Sequence, residues 1–160
     1  MTDVLLTTLA VVLCIGAGTV GGVFFAFSTF VMQALAQLPV AGGVDAMQRI
    51  NVVVLNPAFL GVFMGTAGVA AVGAALAIVT AGGASAALVL VAGVVYLLGS
   101  FAVTLVFNVP RNERLRRLEI DSAEAAAYWP EYVREWTRWN HVRTAASLLS
   151  AACAAGAVAA

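Results

Sequence analysis

Four long apolar stretches alternate along the chain with segments that carry nearly all of the charge. Each stretch is close to the roughly 20 residues that an α-helix needs to cross about 30 Å of hydrocarbon. None has the strict alternation of a barrel strand, and a helix satisfies its own backbone hydrogen bonds in lipid. The pattern therefore predicts four membrane-spanning helices, at about residues 4–30, 58–79, 86–107 and 142–160.

The connections between the stretches predict the topology. Residues 80–85 form a short uncharged link, which makes the second and third helices antiparallel neighbours. Residues 31–57 and 108–141 are longer, and their amphipathic patterns predict surface helices, one of them around residues 44–55. We therefore predict an all-α fold with one transmembrane domain over residues 1–160, an up-down-up-down four-helix bundle with interfacial helices in the first and third loops.

The composition indicates that the lipid bilayer is the main partner of this chain. The chain has 160 residues, 62% of them hydrophobic, and a mean hydropathy of +1.00. Its eight basic and eight acidic residues cancel, so no basic excess indicates a nucleic-acid partner. Seven of the eight arginines lie within residues 111–143, and Arg49 lies in the first loop. The positive-inside rule then predicts a multi-pass plasma-membrane protein with cytoplasmic charged loops and both termini on the opposite side.

Turn and capping residues predict where the helices end. Pro110 is expected to end the third span, because proline removes a backbone donor and restricts the residue before it. The run Asp121-Ser122-Ala123-Glu124 is typical of a helix start, because an acceptor side chain is followed by a glutamate that can cap back. Pro130 is expected to begin a further helix, because proline fits the first helical turn. That helix would continue without a break to Ala160.

Polar side chains recur at four-residue steps on the third span and must face protein rather than lipid. The fourth span offers a matching face with Asn140 and Arg143, and Asn51 and Gln33 fall near the same end of the bundle. Two interpretations stay open: hydrogen bonding between helices, worth about 0.6 kcal/mol per bond, or a polar ligand pocket. The four residues of the stripe are Ser100, Thr104, Asn108 and Asn112.

Aromatic and ionisable residues near the charged loops have two interpretations each. Trp136 and Trp139 are either headgroup anchors or walls for a flat ligand. Arg143 either reaches to the interface or binds an anion. His141 is either an interfacial hydrogen-bonding group or a base, since its ordinary pKa lies near neutrality. No spacing of His, Cys and acidic residues predicts a metal site, so we expect none.

Glycines inside the apolar stretches predict close helix packing. Residues 16–21 fit a GxGxxG pattern, but no strand precedes them, so a nucleotide-binding role is not expected. Small residues let helix backbones approach closely and also leave room for contacts between copies in a homo-oligomer. The glycines predicted to pack in this way are Gly18, Gly22, Gly61 and Gly65.

Three motifs are similar to those of a known family. Residues 107–115 read FNVPRNERL, and residues 136–144 read WTRWNHVRT. Upstream, MQRIN at residues 47–51 is followed by Asn56 and Pro57. In these motifs and in its overall layout the chain resembles a family of small four-span membrane proteins that includes the anthrone oxygenases.

The resemblance implies oxidation of a polyketide anthrone to an anthraquinone by dioxygen, with neither metal nor flavin as cofactor. Such a site needs a base, donors for an oxyanion and flat apolar walls. His141 is the expected base, although on an ideal helix it points about 100° away from Asn140. Asn140, Arg143, Asn108 and Asn112 are expected to hold the enolate oxygen, Trp136 and Trp139 to cover the rings, and Asn51 and Gln33 to complete the substrate site.

Two other functions are compatible with the same residues. The amide, arginine and tryptophan group could hold a quinone or a lipid-like headgroup without turnover. The chain could also be an accessory membrane subunit, because a fold does not determine a function. If the protein is an oxygenase or a ligand-binding protein, we expect its small-molecule partner to be a hydrophobic aromatic or quinone-like compound.

Overall fold

The computed structural model describes residues 2–80 and 82–160, which form helices joined by short turns. Four of these helices are long and apolar enough to cross a membrane, as in a multi-pass membrane protein. A shorter helix, Val40–Val53, follows the first of them, and we call it the loop helix. We call the long helices spans one to four: Val4–Ala36, Pro57–Thr80, Gly83–Arg116 and Ala123–Ala159.

Two clusters of buried apolar side chains lie at the two ends of the four spans. One cluster joins the start of spans one and three to the end of spans two and four, through Leu6, Ala10, Ala77, Ala86, Val89 and Ala157. The other joins the end of span one, the loop helix, the end of span three and the start of span four, through Met32, Leu35, Met47, Leu115, Trp129 and Tyr132. Successive spans therefore run in opposite directions.

Span three does not end at Pro110 as the sequence pattern predicted. The helix continues to Arg116, and π-helical turns at Thr104–Asn108 end two residues before the proline. In π turns each amide bonds one residue further back than in an α-helix, and the wider backbone accommodates the proline ring. The Arg111 Nη1 group also donates to the Phe107 carbonyl at 2.7 Å. The polar stripe therefore stays on one continuous helix.

Span four is likewise one helix where two were predicted. Its predicted start is confirmed: Ser122 is the N-cap, and its hydroxyl accepts from the Ala125 amide at 3.1 Å. Pro130 lies inside the helix rather than at the start of a second one. The predicted interfacial segment 108–141 consists mainly of the end of span three and the start of span four, so the site residues are held on rigid helices.

The helices approach closely at glycines other than those predicted. A methyl group added at three of the predicted positions, Gly22, Gly61 and Gly65, would meet no atom within 4 Å. The prediction that these glycines pack spans together within the chain is therefore wrong. A methyl group would instead come within 2.6 Å of the Ala70 carbonyl oxygen at Gly93 and within 2.5 Å of the Ala146 Cβ at Gly99.

Candidate functional site

A cavity of about 360 Å³ lies among the four spans and the loop helix, towards the end that carries the charged residues. Its walls are mainly apolar with a few polar groups, the usual make-up of small-molecule sites, which range over about 300–1,000 Å³. The aromatic wall residues are Phe24, Phe27, Phe59, Phe63 and Trp136. The polar wall residues are Asn51, Thr104, Asn112, Glu113, Arg116 and Arg143.

Arg143 is the buried cation of this cavity, with only 4% of its surface exposed. Its Nη2 group donates to the Asn140 side-chain oxygen at 2.6 Å, and Nη1 donates to the Thr104 hydroxyl at 3.3 Å. The guanidinium carbon lies 4.1 Å from the centre of the Phe24 ring and 5.0 Å from that of Trp136. The charge is therefore held by neutral oxygens and aromatic faces.

Nothing in the described part of the chain neutralises this charge. The salt bridges among those residues involve other arginines, and the Arg143 Nε group has no hydrogen-bond partner there. An isolated buried charge costs several kcal/mol, and arginine does not readily lose its proton. A ligand that carries or develops negative charge beside Arg143 would offset that cost.

Asn140 positions Arg143 rather than lining the cavity. Its Nδ2 group donates to the Phe24 carbonyl at 2.7 Å and to the Ser28 hydroxyl at 2.7 Å, while its oxygen accepts from Arg143. The Ser28 hydroxyl is also 3.0 Å from that of Thr144. Both the nitrogen and the oxygen of the Asn140 amide are therefore hydrogen-bonded, and the amide orients the guanidinium. Ser28 was not among the predicted site residues, for which span one supplied only Gln33.

Asn112 lies at the centre of a second polar network on the cavity wall. Its side-chain oxygen accepts from the Tyr132 hydroxyl at 2.9 Å and from the Trp136 Nε1 group at 2.8 Å. The Asn51 Nδ2 group reaches the same Tyr132 hydroxyl at 3.5 Å, at the limit of a hydrogen bond. Two donors fix the orientation of the Asn112 amide and leave its Nδ2 group for a ligand.

Asn108 and Trp139 are close to the cavity but outside its lining. Asn108 is buried and donates from Nδ2 to the Trp136 carbonyl at 3.2 Å, so it supports the helix that carries the cavity tryptophan. Its own oxygen has no partner among the described residues. Trp139 stacks on Phe107 with ring centres 3.5 Å apart, so it does not cover a ligand in this cavity.

His141 and Gln33 do not join the site that the sequence analysis predicted for them. Both are exposed, and neither lines the cavity. His141 follows Asn140 by one residue, and a helix turns by about 100° per residue, so the imidazole points away from the buried face. The structure therefore does not bring His141 or Gln33 together with the residues that line the cavity.

Four predicted site residues do line one cavity: Asn51, Asn112, Trp136 and Arg143. The phenylalanine wall and the charged edge of the cavity were not among the predicted site residues. On that edge the Glu113 Oε2 atom is 2.8 Å from the Arg116 Nη2 atom. The spacing of these phenylalanines could have indicated a shared wall, since residues three or four apart lie on the same helix face. The pairs are Phe24 with Phe27 and Phe59 with Phe63.

Comparison with known families gives a match over much of the chain. The family model described as anthrone oxygenase matches residues 58–153, more than half of the chain. The chain belongs to the anthrone oxygenase family. Neither the curated proteins nor the solved structures give a match to it.

The match divides the site of this anthrone oxygenase family member in two. Asn112, Trp136 and Arg143 fall inside the matched residues. The phenylalanines of span one and Asn51 of the loop helix fall before them. The polar groups on spans three and four therefore belong to the part of the chain by which the family is recognised. In the described residues, no group of three His, Cys, Asp or Glu side chains is placed to hold a metal ion.

Proposed function

We propose that the cavity binds a planar polycyclic aromatic compound and that the protein oxidises an anthrone-type substrate with dioxygen. The observation that carries the proposal is the buried, uncompensated Arg143 guanidinium in a cavity walled by aromatic rings. An anthrone is flat, apolar and neutral at rest, and its oxygen becomes negative during reaction. Preorganised donors act most strongly where charge develops in a water-poor site.

The reaction can proceed without a cofactor because the anthrone anion itself reduces dioxygen. Loss of one methylene proton gives an enolate, which transfers one electron to dioxygen to form a carbon radical and superoxide. These combine with a new carbon–oxygen bond, and protonation gives a hydroperoxide. Loss of the remaining proton on that carbon then breaks the oxygen–oxygen bond. The products are the quinone carbonyl and one water molecule.

Each part of this chemistry has a group in the cavity lining. Arg143 and the Nδ2 group of Asn112 stabilise the enolate oxygen, while the aromatic walls hold the rings. We assign the methylene proton to Glu113, the carboxylate of the lining. Its partner Arg116 keeps the carboxylate ionised, so that it is free to accept a proton. It takes the methylene proton only from a substrate that Arg143 has made more acidic.

The test is anthrone oxidation by the purified protein in nanodiscs, followed by quinone absorbance and oxygen consumption. Arg143→Met should reduce kcat about 100-fold or more, as expected for loss of a donor to a developing oxyanion. Glu113→Gln should reduce it by about 100-fold as well, because a positioned base contributes that much. Arg138→Met is the matched control, because that arginine is on the same helix but exposed.

Two outcomes would contradict the assignment. An unchanged kcat in a folded Arg143→Met protein would show that Arg143 does not stabilise the oxyanion. A loss of turnover in His141→Ala would restore histidine as the base, whereas we expect no change because its side chain is exposed outside the cavity. Binding of anthrone or quinone with no oxygen consumption would favour the second candidate, a non-catalytic quinone-binding protein, for which the same cavity walls are suitable.

A further inference from the structure

The cavity has an open side between spans two and three. Residues on its lining that are also exposed include Met64 of span two and Leu105 and Val109 of span three. Met64 and Leu105 are each 47% exposed, and Val109 is 40% exposed. These side chains therefore face both the cavity and the surroundings of the bundle, and we call them the rim.

The gap exists because span three contacts span four along its whole length but loses contact with span two towards its end, as the bond from Ser150 of span four to the Ala92 carbonyl already shows near its start. Near its start a methyl group added at Gly93 would meet the Ala70 carbonyl of span two, so these backbones are in close contact. Further along, the Tyr96 hydroxyl still donates to the Phe63 carbonyl of span two at 3.2 Å. The Phe101 ring still lies 5.5 Å from that of Phe63, and beyond it span three keeps its contacts with span four.

The later contacts of span three are with span four. Gly99 lies against Ala146 of span four, and the Thr104 hydroxyl accepts from Arg143 of the same span. Asn108 donates to the carbonyl of Trp136, also in span four. Span three therefore leans away from the beginning of span two, and the cavity opens where they separate.

The loop helix covers part of the loop side of the cavity with Met47, Ile50 and Asn51. The apolar Val52 and Leu55, which lie next to the start of span two, also line the cavity and are 62% and 63% exposed. The loop helix is fastened to span three by the Gln48 Nε2 group, which donates to the carbonyls of Leu115 and Leu118 at 2.9 Å each. A path beneath this helix would have to displace it, whereas the path between spans two and three requires only movement of the exposed apolar side chains on the rim.

We propose that the aromatic ligand enters and leaves the cavity sideways, from the bilayer, between Met64 and Leu105. The identity of the ligand rests on the proposed function, but the route rests on the rim itself. All three rim side chains are apolar, and an apolar fused-ring compound concentrates in hydrocarbon rather than in water. The charged pair Glu113 and Arg116 lines the cavity as well and marks its polar edge.

The experiment measures uptake of a coloured product-type compound, 1,8-dihydroxyanthraquinone, from nanodisc lipid by stopped-flow absorbance. Met64→Trp and Leu105→Trp narrow the rim and should slow association and dissociation by about tenfold, leaving Kd nearly unchanged. Leu105→Ala widens the rim and should accelerate both rates. Val62→Trp and Val106→Trp are the matched controls, because both positions are exposed on the same spans but outside the lining.

Substitution of a residue on the entry route changes the association and dissociation rates equally. Substitution of a residue that holds the bound ligand changes Kd instead. Identical kinetics in rim and control variants would overturn the proposal, as would a wild-type protein that does not take up the compound. Leu105→Ala tests the same rim in the opposite direction should a tryptophan variant fail to fold. Uptake through the rim without anthrone turnover would support the route and overturn only the oxygenase activity.

Discussion

Replacing Asn140 with leucine should destabilise the protein mainly through its effect on Arg143. The side chain makes three hydrogen bonds, donating to the Phe24 carbonyl and the Ser28 hydroxyl and accepting from the guanidinium. Leucine has a similar size and fills the space, so cavity formation contributes little. The loss is therefore a loss of hydrogen bonds, one of them to a buried charge.

The magnitude follows from the kinds of bond that are lost. Hydrogen bonds between helices in a membrane average about 0.6 kcal/mol each, and a bond to a charged group is worth about 1.5–3 kcal/mol. We expect Asn140→Leu to reduce the free energy of unfolding by about 3 kcal/mol. In an Arg143→Met background the same change should cost only about 1 kcal/mol, because the charge that needs the amide oxygen is gone.

The assay is a double-mutant cycle on unfolding in mixed detergent micelles, followed by the loss of helical circular dichroism. Thr137→Val is the control on the same helix, because the Thr137 hydroxyl is buried with no partner among the described residues. That variant should be neutral or more stable. A coupling energy between Asn140 and Arg143 below about 0.5 kcal/mol would refute the reasoning that the amide holds the cation.

Two further predictions concern packing. Gly93→Ala should lower stability by about 1–3 kcal/mol, because the new methyl group meets the Ala70 carbonyl, whereas Gly61→Ala meets no atom within 4 Å and should be neutral. Thermal unfolding in detergent measures both, and equal losses would contradict the glycine contacts. Trp139→Leu should lower thermal stability by breaking the stack on Phe107 but leave quinone affinity unchanged. A weaker Kd in that variant would place this ring in the site after all.

The four spans could be predicted because each apolar stretch has the length that a bilayer requires. The helix ends were less predictable, since Pro110 was taken as the end of a helix and Pro130 as the start of another, and the helix continues through both. At Pro110 the preceding π turns accommodate the ring, and π turns leave no clear mark in the sequence. At Pro130 the helix is already established from Ala123.

The polar centre of the site could be predicted from helical spacing, but its boundaries could not. Asn140 and Arg143 are three residues apart and share a buried face, as the pattern indicated. His141 was included for its chemistry, although the same spacing rule points it outwards. Ser28 could not be identified, because its role depends on how span one is rotated against span four, which one sequence does not state.

The π turns of span three also make the site sensitive to chain length. Tyr96–Ala102 and Thr104–Asn108 set the rotation of everything that follows them. Losing or gaining a single amino acid there would swing Asn112 by about 100° around the helix axis. Family members that differ by one residue in this stretch should therefore present a different set of donors to their ligands, even with otherwise identical motifs.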